Sequence, residues 1–143
     1  MNISRDQWIA RCAAAVCIAS RWFSCASLAL ALVSLCCLFF LAMPPLAQLA
    51  VAAAAGTGAA QAYLAARVEF DRAIFESLAS ATDAGVAAEG FDAAAQEAGL
   101  LQGRKAGRDL GERAAGLVTL TNIIFFVFLS QFALLLAAAW TSR

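Results

Sequence analysis

Apolar residues fill two uncharged stretches of the chain, Phe23 to Met43 and Leu117 to Trp140, composed mostly of Leu, Phe, Ala, Val and Ile. A hydrocarbon layer about 30 Å thick takes roughly 20 helical residues at about 1.5 Å each, and both stretches reach that length. A third stretch, Leu46 to Ala66, is also uncharged and long enough, but it is built mainly of Ala and carries Gln48, Gly56, Thr57, Gly58 and Gln61. Alone it inserts poorly. Packed on neighbours it spans, and Ala52, Gly56 and Ala60 form a small-xxx-small ridge suited to close helix contact, which makes Gly56 a packing candidate. Pro44-Pro45 separates it from the first span, because neither proline has the amide that a continuing helix needs and the first disfavours helix at Met43. The pattern predicts an all-α integral membrane protein with transmembrane helices at 23–43, 46–66 and 117–140, the first two forming a hairpin.

Two polar stretches frame these spans. Ser4-Arg5-Asp6-Gln7 forms a capping box that starts a helix, with Ile3 and Trp8 at the hydrophobic-staple positions. The weakly amphipathic segment 4–22 reads as a lead-in whose Arg21 and Trp22 mark headgroup level. Beyond Ala66 the helix runs on as a segment of 67–113 expected in the cytoplasm. Phe70, Ile74, Leu78 and Ala81 form one stripe there, Leu64, Val68 and Phe75 lie beside it, and Glu69, Arg72 and Glu76 make the opposite face. Arg67 and Asp71 sit four apart in the apolar sector, either as a snorkelling Arg with a solvated partner or as an ion pair fixing the helix against another chain. Gly85, Gly90, Gly99, Gly103 and Gly107 break the helical pattern, leaving a short piece near Asp92 to Ala98 that stops at Gly99-Leu100. The last helix starts at Asp109 or at Gly107.

Composition fits one small helical membrane domain over 1–143: 63% of residues are hydrophobic, the mean hydropathy is +0.77 and the formal net charge is zero. Charge placement then fixes an orientation. Three basic residues precede the first span, six lie in 67–113 and only Arg143 follows the last, so three crossings with the N-terminus inside keep nine of ten cytoplasmic. A two-span layout would export six. One Lys against nine Arg, with Ala abundant, reads as GC-rich bacterial coding, pointing to a bacterial inner membrane with the C-terminus periplasmic. A signal peptide fits less well, because the charged lead-in and the apolar run both exceed the usual lengths, and Leu35 before Cys36 excludes a lipoprotein box.

Candidate chemistry is sparse. The chain has no His, which removes His-based acid–base, haem and zinc-water mechanisms. Its five Cys (Cys12, Cys17, Cys25, Cys36 and Cys37) include no C-x-x-C pair and read as small apolar fillers in preference to a metal or redox site. No phosphate loop, intramembrane carboxylate pair or nucleophile motif occurs, so neither enzymatic activity nor a cofactor is expected, and no basic patch points to nucleic acid.

Helix packing is what remains. Ala13, Cys17, Ser20, Ser24, Ser27, Ala31 and Ser34 recur at spacings of four and three, placing small residues on one face of the first span. Ala115, Thr119, Asn122, Phe126, Ser130, Ala133 and Ala137 suggest a similar seam on the last. Asn122 and Gln131 lie on nearly opposite faces, and a carboxamide in lipid is costly unless satisfied, so one serves the internal bundle and the other a second subunit, a headgroup or a water path. The docking candidates are Ser20, Ser24, Ser27, Ser34, Gly56, Arg67, Phe70, Asp71, Ile74, Asn122, Ser130 and Gln131. The expected function is that of a small accessory, scaffolding or regulatory subunit, with lipid and other membrane subunits or copies of itself as partners. The alternative is a homo-oligomeric pore or membrane effector.

Overall fold

The computed structural model describes residues 4–99 and 109–142, and it is entirely helical there: α1 Arg5–Phe40, α2 Pro45–Ser80, α3 Ala84–Glu97 and α4 Leu110–Thr141. α1, α2 and α4 have 36, 36 and 32 residues and are each long and apolar enough to cross a membrane. At about 1.5 Å per residue α1 and α2 are about 54 Å long, well beyond one hydrocarbon layer.

The capping box forms as the sequence predicts. The Gln7 amide donates to Ser4 Oγ at 3.2 Å and the Ser4 amide to Gln7 Oε1 at 3.1 Å. The staple residue Ile3 lies outside the described residues. From there the lead-in and the first span make a single helix that stops at Phe40, short of the expected Met43. Two missing amides set this limit: the carbonyls of Phe40 and Leu41 would need N–H groups from Pro44 and Pro45. The final bond accordingly runs from the Leu41 amide to Cys37 O at 3.0 Å. α2 then starts on Pro45, whose fixed φ suits the first helical position, and Gln48 donates back to Pro44 O at 3.0 Å.

Described residues fall into two compact units. Met1–Cys17 and Glu69–Thr119 form one, and Ile18–Val68 with Leu120–Arg143 form the other. All ten acidic residues belong to the first, while the second contains only Arg21, Arg67 and Arg143 as charged residues. We call them the charged and the apolar unit.

In the charged unit, the Gln7 side chain donates to Ala81 O at 2.8 Å, which ties the start of α1 to the end of α2. Arg72 is the hub of the polar face of α2, bonding Glu69 and Glu76 at 2.8 Å each. The hydrogen bond to Glu69 leads the effects that raise the guanidinium pKa above its ordinary value. α3 corrects the expected glycine breaks, because Gly85 and Gly90 lie inside a helix that begins well before Asp92. Its start signal is Asp83, whose carboxylate accepts from the amides of Gly85 and Val86 at 3.0 and 3.2 Å. At its end Gly99 adopts φ +70°, the left-handed stop that the sequence predicts; Leu100 and the glycines at 103 and 107 lie outside the described residues. α4 follows Asp109, whose carbonyl accepts from Arg113 N at 3.2 Å.

In the apolar unit, pairings of Phe23 with Phe125 and Phe128, and of Ser27 with Gln131, show α1 and α4 running parallel. α2 runs antiparallel to α4, with Ala47 beside Ala138, Ala54 beside Gln131 and Gln61 beside Ile124.

Candidate functional site

A seven-residue repeat organises the buried faces. On α4 the buried row is Leu110, Leu117, Ile124, Gln131 and Ala138. On α2 it is Ala47, Ala54, Gln61, Val68 and Phe75, flanked by Val51 and Gly58. On α1 the expected serine seam is buried throughout, from Ala13 and Cys17 through Ser20, Ser24 and Ser27 to Ala31 and Ser34. A 3.5-residue period keeps one stripe of each helix facing its neighbours, as in a left-handed coiled coil. Here most core positions are Ala, Ser or Gly, which permits close backbone approach.

Gln131 is the hub of the apolar unit. Its amide donates to Ser27 O and to Ala54 O, both at 3.1 Å, and its Oε1 accepts from Ser27 Oγ, so one fully buried side chain joins three helices. Gly58 packs against the same point. A Cβ there would lie 3.1 Å from Gln131 Nε2 and well inside van der Waals contact distance of Ala31 Cβ. Ser24 and Ser34 donate to backbone oxygens one turn back, Ser20 O at 3.2 Å and Leu30 O at 2.7 Å, and so need no partner across the helix interface. Gln61, also fully buried, donates to Ile124 O at 3.2 Å, but among the described residues its Oε1 and the Thr121 hydroxyl have no hydrogen-bond partner.

The structure separates the other expected candidates. Ala52, Gly56 and Ala60 are exposed, and a Cβ on Gly56 would meet nothing within 4 Å, so the close contact within the chain belongs to Gly58. All seven residues of the expected α4 seam, Asn122 and Ser130 included, are exposed, because Gln131 claims the opposite face for the core. Asn122 lies two residues from Ile124 and therefore comes level with about Tyr63, between the depths of Gln61 and Arg67. The stripe on α2 is also rotated. Val68, Phe75 and Leu78 are buried, Ile74 is half-buried and Phe70 is 58% exposed, because the seven-residue row through Gln61 continues past the last Ala of the span. Arg67 is exposed and Asp71 half-buried.

The charged unit holds two features that the sequence reading did not isolate. Asp92, with its side chain 8% exposed, pairs with Arg113 and fastens α3 to α4. A shallow apolar groove of about 320 Å³ is lined by Arg5, Trp8, Ile9, Cys12, Ala13 and Val16 of α1 and by Ala114 and Val118 of α4. The Arg11 guanidinium lies 5.9 Å from the Trp8 ring centre. The seven-residue spacing is the one sequence signal that could have found Gln61 and Gly58, and the sequence reading did not draw it; nothing local marked Asp92 or Arg113.

All five cysteines are free thiols, with Cys17 buried and Cys12, Cys25 and Cys36 exposed. Among the described residues no three of His, Cys, Asp and Glu converge to hold a metal ion. No protein family, curated protein or solved structure matches the chain.

Proposed function

We propose that this chain is a small accessory, scaffolding or regulatory subunit of a bacterial inner-membrane complex, acting by helix docking and not by catalysis. One observation carries the reading: the buried Gln131 and Ser27 side chains of the apolar unit are engaged in holding its own helices together. What is left on the outside is recognition surface: the small ridge of Ala52, Gly56 and Ala60 and the exposed row through Asn122 and Ser130. In this reading the apolar unit spans the bilayer as three helices, α1 and α2 forming the hairpin. The N-terminus and residues 67–113 are cytoplasmic and Arg143 is periplasmic, in keeping with the positive-inside bias. Exposed aromatics fit this placement, with Trp22 and Tyr63 toward one end of the apolar unit and Phe39, Phe40 and Trp140 toward the other.

Affinity purification in mild detergent with mass spectrometry tests the function. A docking subunit brings down unlike chains in fixed stoichiometry. The same exposed polar row on α4 favours a second reading, a homo-oligomeric pore in which it lines a water path. Recovery of a ring of this chain alone, together with ion leakage from liposomes, would replace the first reading by the second.

A further inference from the structure

The charged unit exposes two helix faces that complement each other. The first is the groove on α1 and α4, where Trp8 stands 55% exposed and the charged residues are Arg5 in the lining and Arg11 against the indole. No acidic residue lines it. The second lies on α3. At 100° per residue Val86, Glu89, Gly90, Ala93 and Glu97 share one side of that helix, opposite the buried Ala84, Ala88, Asp92 and Ala95. Val86 is 65% exposed, and a side chain on Gly90 would meet nothing within 4 Å. That face is acidic at Glu89 and Glu97 and nearly flat between them. Among the described residues, Arg5, Arg11, Glu89 and Glu97 form no ion pair within the chain.

We infer that the Arg5–Trp8 groove receives the α3 face of a second copy of this chain. Val86 enters the apolar lining, the flat Gly90–Ala93 stretch lies against the Trp8 indole, and Glu89 and Glu97 reach Arg5 and Arg11. Charge selects this occupant. Two grooves facing each other would bring arginine against arginine, and two α3 faces glutamate against glutamate, whereas groove against α3 matches opposite signs and covers apolar surface on both sides. The contact lies on the charged unit and is independent of whether unlike subunits dock in the membrane.

A charge exchange in the full chain, in detergent, tests it. Arg5→Glu with Arg11→Glu, and separately Glu89→Arg with Glu97→Arg, should each weaken self-association about tenfold or more, since like charges then face each other. Mixing the two variants should restore it, because both contacts regain opposite signs. A second measurement guards against a folding defect. In a variant keeping only Cys12, a groove residue, self-association should slow its alkylation in the wild-type background and in the mixture, but not in either charge variant alone. A wild type that stays monomeric at high concentration, single variants that associate normally, or a mixture that fails to recover would each overturn the assignment. So would Cys12 protection that appears only when anionic liposomes are added, which would make lipid the occupant.

Discussion

Two glutamines occupy the same kind of core position yet are held very differently. Gln131 satisfies both ends of its carboxamide across three helices, whereas Gln61 makes one bond and leaves Oε1 without a partner. Hydrogen bonds inside membrane bundles average about 0.6 kcal/mol with a maximum of about 1.7, so Gln131→Leu should cost about 2 kcal/mol once the stranded Ser27 groups are included. Gln61→Leu should be neutral or stabilising. Thermal melting in detergent separates them, and equal losses would mean that Gln61 is as well satisfied as Gln131. The glycines divide in the same way. Gly58→Val must displace Ala31 or Gln131 and should lose about 1–3 kcal/mol, while Gly56→Val should melt like wild type. The sequence pattern singled out Gly56 and the fold uses Gly58: they are two residues apart in one Ala-rich run, and a turn of about 200° decides which meets a neighbour. Asn122 and Gln131 were legible as an opposed pair; which of them faces inward depended on the neighbouring helices.

At the scale of elements, start signals were read well where they were local. The Ser4–Gln7 box and the proline stop after α1 are chemistry that four or five consecutive residues specify. Only the second half of α3 was expected, because its glycines masked a helix whose stability comes from elsewhere, namely the Asp83 cap and the ion pair of Asp92 with Arg113. Asp83→Ala should cost about 1 kcal/mol, the usual loss of a cap. Asp92→Ala should cost about 3 kcal/mol, because Arg113 loses a largely buried partner. Hydrogen exchange of α3 amides reports both, with faster exchange in Asp92→Ala than in Asp83→Ala; the reverse order would place the fastening of α3 in its cap. Phe70 was misplaced for a related reason. The apolar stripe of an isolated helix need not coincide with the face that a long seven-residue row imposes from the apolar unit.

Across the whole molecule, the partition of charge is the feature most visible in the sequence, since every acidic residue lies in the charged unit. A periplasm-dependent reporter fused near Asp92 should be silent and one after Arg143 active; activity near Asp92 would remove α2 as a span. α2 is the weak member, being built mainly of Ala with Gln48, Gly56, Thr57, Gly58 and Gln61 where α1 and α4 carry Leu, Phe and Val. Its place in the core is completed by Gln131, which the ribosome makes 77 residues after Ala54, whose carbonyl awaits it. Biogenesis therefore has an order. In the proposed topology the α1–α2 hairpin stands during synthesis with its serines and glycine turned to lipid until α4 arrives, so a chain truncated before α4 should present to membrane proteases a substrate that the finished protein conceals.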